Sequence, residues 1–283
     1  MWIWRYELFP RQRLSALAGS GSRRGALLRD GDGFADIHPW PELGDAPIEQ
    51  QIALLARGEE TPVTAASMRC ARIDGAARRE GRSLFEGLTV PESHWPAAAG
   101  EAPIAFDTVK VKMPGGVLPA RGRLRLDFNA TLDATEFERI ARTLPRGRID
   151  FVEDPCPYDG FVWRMLREKT GLRLALDREV ASEGVDVLIV KPAVQPLENL
   201  STVAGMEIVV TSYMDHPVGQ LHAAVVASRI ATSDRCGLVT HVLYEPNAFS
   251  ERLALDGARL VPPSGAGIGF DDLLEGLSWE RLR

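Results

Sequence analysis

The chain has 283 residues, 45% of them hydrophobic, and a formal net charge of −6 at pH 7. This length allows one large α/β domain and a smaller second one, while the acidic balance and the scattered arginines give no indication of nucleic-acid binding. No apolar run approaches the ~18 residues of a membrane span, so a cytoplasmic protein is expected. Cys70, Cys156 and Cys236 lie far apart, which indicates neither a disulfide framework nor a zinc site.

Residues 1–98 predict an α+β unit. Strands are expected over residues 2–9 and 26–37, the second of them broken by an Asp-Gly hairpin turn. One helix is predicted from Asp45, a good N-cap residue. The threonine-proline pair at Thr61 predicts the start of a second helix, which runs to about Arg79.

Residues 99–283 predict a second domain with a C-terminal tail, and its first strand is placed as early as residue 87. Here short apolar strands alternate with amphipathic helices. The predicted strands are residues 88–90, 108–112, 124–128, 149–154, 172–177, 185–191, 207–212 and 238–244. Eight strands in this alternation predict a modified (β/α)8-type barrel. A doubly wound sheet is the alternative, although the first βα turn lacks a glycine-rich fingerprint.

The helices of this barrel are expected from three amphipathic segments. One runs from Thr135 to Pro145, one carries Phe161, Met165 and Leu166, and a third has the nearly apolar sequence "VGQLHAAVVASRIA". The intervals after residues 112 and 177 are too short for a full βα unit. Shortened helices are therefore predicted at these two places.

Charged side chains end five of the predicted strands, in the order lysine, acid, acid, acid, lysine. The three acids are Asp127, Glu153 and Asp177. A single acid at a strand end is usually a helix cap or a solvated loop residue, but the carboxyl ends of barrel strands converge on one mouth. Three converging carboxylates would repel one another unless a cation lay between them, and hard oxygen ligands suit Mg²⁺.

Lysine is scarce in this chain and occurs only at positions 110, 112, 169 and 191. Lys110 and Lys112 share one face of a predicted strand, and Lys191 ends another strand. A cation and a second amine nearby both favour a neutral amine. A lysine in this place is therefore suited to proton transfer, which arginine is not.

This ordered set of motifs resembles the enolase superfamily, in its subgroup of muconate-lactonising enzymes, and within it most closely the o-succinylbenzoate synthases. The resemblance spans roughly residues 25–245 and includes a segment, "GDGFADIHPWPELGD", similar to the family's capping domain. The barrel motifs that carry it are "VKVK", "LRLDFN", "FVEDP", "LALD" and "LIVKP". It implies that residues 1–98 cap the barrel. It also implies that a Mg²⁺ ion, or Mn²⁺ in its place, is held by Asp127, Glu153 and Asp177.

The resemblance further implies a dehydration that forms o-succinylbenzoate, a step of menaquinone synthesis. Lys112 would remove a proton α to a carboxylate of a small-molecule substrate, and the enediolate would be held by Mg²⁺. The same ammonium would protonate the departing hydroxyl. Lys191 would stabilise the other side of the substrate by a cation–π contact, and Lys110 would assist electrostatically.

Substrate contacts are implied for Arg125, Asn129 and Ser212, with an outward-facing barrel arginine as the alternative for the first. The sequence departs from the family pattern at Arg178, where relatives have Glu, and at Asp215, a candidate replacement for a family Glu. Four histidines without a recognisable ligand spacing are expected to be structural or rim residues: His38, His216, His222 and His241.

Three other interpretations remain open. Opposed lysines also suit racemisation of N-acylamino acids or epimerisation of dipeptides on the same site. Lys191 could form a Schiff base, although this leaves three carboxylates unexplained. A non-catalytic barrel is the third, and the sequence leaves open whether the chain is a monomer or a homo-oligomer.

Overall fold

A computed structural model describes residues 1–14, 19, 21–177, 179–197 and 205–282. Its strands are β1 (Trp2–Leu8), β2 (Arg23–Asp30), β3 (Gly33–Ile37), β4 (Glu92–Ser93), β5 (Trp95–Pro96), β6 (Thr108–Lys112), β7 (Arg123–Asp127), β8 (Ile149–Glu153), β9 (Leu174–Asp177), β10 (Val187–Val190), β11 (Glu207–Val210), β12 (Arg235–Cys236), β13 (Ala254–Asp256), β14 (Arg259–Val261) and β15 (Glu280–Arg281). Its α-helices are α1 (Ile48–Ala56), α2 (Pro62–Arg79), α3 (Ala134–Ala141), α4 (Gly160–Thr170), α5 (Pro217–Ile230) and α6 (Asp271–Glu275).

The N-terminal unit is an antiparallel sheet of order β15-β1-β2-β3, against which α1 and α2 pack. The predicted start of α2 is confirmed, because Thr61 accepts a hydrogen bond from the backbone N–H of Thr64 and forms a capping box. The predicted cap at Asp45 is wrong. Its carboxylate instead accepts from the N–H of Trp40 (2.8 Å), and α1 begins at Ile48, after Pro47.

The second unit is a curled parallel sheet of order β5-β6-β7-β8-β9-β10-β11. Beyond β11, parallel pairing continues through the Thr211–Gly237 bridge and then between β12 and β4. Since β4 leads directly into β5, the sheet curls back on itself. The predicted barrel, with an additional N-terminal sheet domain, is confirmed. The boundary at residues 98/99 stays a prediction, since Trp95–Pro96 pairs within the parallel sheet and the C-terminal β15 joins the N-terminal one.

The predicted loss of barrel helices is confirmed. Residues 113–122, between β6 and β7, contain no helix, and neither do residues 179–186 before β10. The helices α3, α4 and α5 lie at the places that the sequence predicts. No helix in the described ranges is long and apolar enough to cross a membrane.

Two predicted strands are wrong, and the predicted apolar face of one helix is wrong in part. Residues 88–90 are not a strand, because pairing begins only at Glu92 after Pro91. The predicted strand at 238–244 is instead a 3-10 helix, Thr240–Leu243, which Gln220 fixes by accepting the N–H of His241 (2.8 Å). In α4 the side chains of Phe161 and Met165 are exposed, while Trp163 and Leu166 are buried.

The barrel interior is narrow and filled by side chains. Its lower layer contains an apolar cluster, Phe151, Ala175, Val187, Ile189 and Val209, with the Arg125 guanidinium over the Phe151 ring. A charged layer lies above it, where β6 to β9 end. The ionisable side chains at the strand ends therefore lie directly above the packed side chains of the barrel interior, as in other barrels of this type.

Candidate active site

The strand register brings the charged strand ends into one row. Lys112 is paired with Asp127 on the neighbouring strand, and Asp127 is paired with Glu153 on the next. Strand alternation turns Lys110 to the same face as Lys112. Four of the predicted site residues are therefore adjacent because of backbone pairing alone.

The amines and carboxylates form a buried ion-pair network. Lys110 Nζ donates to both carboxylate oxygens of Glu153 (2.7 and 2.6 Å) and lies 2.9 Å from Asp127 Oδ2. Lys112 Nζ donates to that same Asp127 oxygen (2.5 Å). The Asp127 and Glu153 side chains are only 2% and 1% exposed. Each charge therefore depends on its partners, because removing one would leave another buried and uncompensated.

Lys191 approaches the network from the far side of the row. Its Nζ donates to Asp177 Oδ2 and lies 5.9 Å from the ring centroid of Tyr213. The lysine is 8% exposed and directly follows β10. The two lysine sources thus flank the three carboxylates, as the sequence predicts.

The buried carboxylates and amines of this network shift one another's pKa values. Burial, and then the charge of Asp127, raise the pKa of Glu153 to about 7. Burial would also raise the pKa of Asp127, but Lys110 and Lys112 hold it well below its ordinary value. Burial lowers the pKa of Lys110, yet the charges of Asp127, Glu153 and the neighbouring Asp177 outweigh this and raise it. Lys110 is therefore a fixed positive charge.

The carboxylate oxygens at this site are suitable ligands for a divalent cation. Asp127, Glu153 and Asp177 supply carboxylate oxygens from three adjacent strands, the ligand type that Mg²⁺ prefers. Asp177 Oδ1 is buried without a hydrogen-bond partner in the described part of the protein. Across the described residues no three His, Cys, Asp or Glu side chains are already arranged as a metal site. The lysine amines form ion pairs with the carboxylate oxygens.

A cavity of about 70 Å³ opens beside this network. Lys110, Lys112 and Lys191 all line it, together with the loop residue Leu14 of the N-terminal unit and Ser212. An adjoining groove of about 440 Å³ shares Leu14 and Lys112 and runs along residues 113–117. Both units of the molecule therefore contribute to the walls around the lysines.

The three predicted substrate contacts lie in different places. Ser212 lines the cavity and its hydroxyl is hydrogen-bonded to Thr240 Oγ1 (2.5 Å). Asn129 accepts a hydrogen bond from Lys112 Nζ (3.2 Å). Arg125 points into the barrel below the site, where its guanidinium donates to Asp150 (2.8 Å) and lies over the Phe151 ring. Their roles in substrate binding stay predictions, and Arg178 lies outside the described residues.

Two residues of the site were not predicted from the sequence. Asp154 is a fourth carboxylate, and burial together with the charge of Asp177 raises its pKa well above its ordinary value. Its Oδ1 accepts the backbone N–H of Asp177 (3.1 Å), which fixes the end of β9. His94 lines the cavity from between β4 and β5. A signal for Asp154 was present in its position directly after Glu153, whereas His94 has no local motif.

Comparison with known proteins points to one family. Residues 1–77 match the family model described as "O-succinylbenzoate synthase, N-terminal domain". An o-succinylbenzoate synthase of Bdellovibrio bacteriovorus is 34% identical over 98% of this chain and 97% of its own length. Another, from Thermobifida fusca, is 24% identical over 77% of this chain and 74% of its own length.

Solved structures share the fold at low sequence identity. A dipeptide epimerase of Enterococcus faecalis, complexed with Mg and the dipeptide L-Leu-L-Tyr, has a TM-score of 0.78 at 15% identity and covers 94% of this chain and 97% of its own. A muconate lactonizing enzyme of Pseudomonas fluorescens, complexed with muconolactone, has a TM-score of 0.75 at 16% identity, over 94% of each chain. Both support the architecture of a capped barrel.

Proposed function

We propose, from the premise that the chain belongs to the o-succinylbenzoate synthase family of the enolase superfamily, that it dehydrates a hydroxycyclohexadiene dicarboxylate to o-succinylbenzoate. The reaction would be Mg²⁺-dependent and serve menaquinone synthesis. The similarity to the Bdellovibrio bacteriovorus synthase over nearly the whole chain supports this choice of reaction. The observation that carries it is one cavity lined by Lys110, Lys112 and Lys191 beside three converging carboxylates.

Asp127, Glu153 and Asp177 would hold the Mg²⁺ ion. When bound, the ion supplies positive charge that stabilises negative charge developing on a substrate carboxylate. The unpartnered Asp177 Oδ1 and the carboxylate repulsion at Glu153 support this assignment. On loading, the carboxylate oxygens that now accept from lysine amines would be freed for the cation.

Lys112 is the proposed general base and acid. Its Nζ lies at the cavity wall and its side chain is 25% exposed, the most accessible of the three amines. The neutral amine would take the proton α to the substrate carboxylate, and the resulting ammonium would return it to the departing hydroxyl. A C–H bond and a C–O bond break, water leaves, and the ring becomes aromatic. Lys110 and Lys191 would supply positive charge on either side.

A second reaction on the same site is favoured by one observation. Lys112 and Lys191 line the same cavity from non-adjacent strands, and two amines on opposite sides of a substrate are what a two-base racemase or epimerase needs. N-acylamino acids or dipeptides would then be the substrates. Exchange of an α-deuterium in an N-succinylamino acid or a dipeptide would distinguish this activity from dehydration.

The test is turnover by the purified, Mg²⁺-loaded protein, followed by the absorbance of the aromatic product. Lys112→Arg keeps the positive charge but loses the proton-transfer role, so we expect kcat to fall by about 10²–10⁴-fold. Lys169→Arg is the matched control, since this exposed lysine pairs only with Glu138 among the described residues. Wild-type protein that binds Mg²⁺ but forms no product would refute the proposed reaction.

A further inference from the structure

His94 lies where the parallel sheet curls back on itself. It is the residue between β4, which pairs with β12, and β5, which pairs with β6. Its backbone N–H donates to the carbonyl of Cys236 (2.9 Å), which ties it to the far side of the curled sheet. A Cβ atom placed on Gly237 would lie 3.0 Å from His94 Cε1. The backbone of His94 is therefore fixed, and its ring lies close to the Cβ-free backbone of Gly237.

The contact of His94 with Arg125 defines which ring nitrogen carries the proton. Nδ1 lies 3.1 Å from Arg125 Nη1. A guanidinium can only donate hydrogen bonds, so Nδ1 must be the acceptor and the proton of a neutral ring must be on Nε2. The guanidinium cannot turn away, because it also donates to Asp150 (2.8 Å) and to the carbonyl of Arg235 (2.9 Å).

The surroundings also keep the ring neutral. Burial, and then the charges of Arg125 and Lys110, hold the pKa of His94 well below its ordinary value. The residue is 5% exposed, yet it lines the same cavity as the three lysines. Within the described part of the structure Nε2 has no hydrogen-bond partner. His94 therefore adds a neutral ring N–H to the lining of the cavity that the three lysines share.

We propose that His94 is a substrate-binding residue that donates its Nε2–H to an oxygen of the bound dicarboxylate, and that Arg125 is the positioning residue that sets this tautomer. The inference rests on the proposed function, since it needs a substrate with an acceptor oxygen beside the lysines. A donor that stays neutral binds and orients without competing for the transferred proton. Substrate binding by His94 is therefore separate from proton transfer by Lys112.

The first experiment reads the tautomer in the wild-type, Mg²⁺-loaded protein and uses a variant only to assign the His94 signals. ¹⁵N NMR of the five histidines, with the His94 signals assigned by their absence in His94→Gln, reports the tautomer directly. We expect the Nε2–H form, and a shift of its Nε2 signal when the product o-succinylbenzoate is added. An Nδ1–H tautomer, an imidazolium, or an Nε2 signal unmoved by saturating product would overturn the proposal.

The second experiment compares two substitutions at this position. His94→Gln keeps a neutral N–H donor at similar reach, whereas His94→Leu removes it and keeps the bulk. We expect His94→Leu to weaken product binding by about 10-fold or more, the usual loss for a hydrogen bond to a charged group. His94→Gln should stay within about threefold of wild type, with kcat falling less than KM rises in both variants.

The two proposals fail in different ways. Wild-type protein that forms o-succinylbenzoate while His94→Leu binds the product as tightly as wild type overturns the role of His94 alone. Equal losses in the two variants would also overturn it, since they indicate a packing role. Wild-type protein that neither binds nor forms the product overturns the proposed function and the inference that rests on it.

Discussion

The site is built from charges that stabilise each other at the level of single residues. Asp127 Oδ2 accepts from Lys112 and forms an ion pair with Lys110, and Lys191 pairs with Asp177. Isolated charges at this depth would be costly, and the pairing offsets that cost only while all partners are present. The same amines that balance the carboxylates are those that line the cavity. The stability of these buried charges and the proposed proton transfer therefore depend on one set of groups.

Asp177→Asn tests the proposed cation site at this scale. The substitution keeps the shape of the side chain but removes a negative charge and replaces one carboxylate oxygen by an amide nitrogen. We expect Mg²⁺ affinity, measured by isothermal titration calorimetry, to fall by about 10–100-fold, because Mg²⁺ demands near-ideal oxygen coordination.

Asp256→Asn is the control for this experiment, since it makes the same chemical change at an exposed position in β13. Unchanged Mg²⁺ affinity in Asp177→Asn would contradict its assignment as a ligand. Equal losses in the two variants would instead indicate a general charge effect.

The sequence predicts the residues of the site better than their surroundings. Lys110 and Lys112 stand out by alternation and by the scarcity of lysine, and the structure places them in one network with the acids. The position of Arg125 inside the barrel could not be predicted, because its partner Asp150 is defined by the strand register. His94 was missed for a similar reason, since its contact with Cys236 joins distant parts of the chain.

At the scale of elements, the most informative segment is the loop that replaces a barrel helix after β6. The loop folds back on the strand so closely that a Cβ atom on Gly116 would lie 2.3 Å from the carbonyl oxygen of Lys112 and 2.5 Å from Val111 Cγ1. The N–H of Met113 also donates to the carbonyl of Asp127 (2.7 Å). The loop thereby supports the backbone of Lys112 without a helix.

Gly116→Ala should disturb this support. The added methyl group must displace the backbone of the proposed base, and we expect a loss of unfolding free energy of about 1–3 kcal/mol, as for other overpacked sites. A fall in kcat larger than the change in KM should accompany it, because geometry at the reacting group is sensitive to small displacements.

Gly147→Ala is the matched control, since no heavy atom lies within 4 Å of a Cβ built there. Thermal unfolding and steady-state kinetics of the two variants measure the difference. If Gly116→Ala behaved like the control in both measurements, the loop would have no role in positioning Lys112.

The sequence predicts those elements whose ends carry local chemistry. Thr61 and the proline after it define the start of α2, and Gly171 ends α4. The prediction fails at residues 238–244, because an apolar run with β-branched residues is compatible with a strand, while tertiary contacts to Gln220 select a 3-10 helix. Where the local sequence favours one secondary structure and tertiary contacts favour another, the secondary structure cannot be predicted from the sequence alone.

At the scale of the whole molecule, the N-terminal unit is joined to the barrel by buried polar groups. Trp40, 1% exposed, donates its indole N–H to the carbonyl of Tyr213 (2.8 Å). Asp36 of β3 accepts the backbone N–H of His216 (3.0 Å), at the start of α5. The N-terminal unit also supplies Leu14 to the cavity. The junction between the two units therefore lies close to the site.

Two carboxylates from the different units face each other at this junction. A Cβ atom on Gly219 would lie 2.6 Å from Asp215 Oδ2 and 2.7 Å from Asp36 Oδ2, so both converge on the first turn of α5. Burial raises the pKa of Asp215 to about 7, although backbone hydrogen bonds and the charge of His222 oppose the rise. Burial, and then the charge of Asp215, also raise the pKa of Asp36 well above its ordinary value.

These shifts predict a loss of stability as pH rises. Asp215 ordinarily has a pKa of 3.8, so between about pH 4 and pH 7 the folded state binds more protons than the unfolded state. Its contribution to stability is complete below that window and is lost as pH rises through about 7. Asparagine resembles the protonated carboxyl and does not titrate. Asp215→Asn should therefore be more stable than wild type at pH 8, by roughly 1–3 kcal/mol, and the difference should shrink toward pH 4.5.

Urea unfolding of wild type and Asp215→Asn at several pH values between 4.5 and 8 measures this difference, and the titration of all other groups cancels to first order in the comparison. Asp256→Asn, on the exposed β13 strand, should show no such pH dependence. A difference that stays constant with pH, or that grows toward pH 4.5, would contradict the argument. In that case the two facing carboxylates would be neutralised by a partner other than a proton, and the junction between the two units would be insensitive to pH.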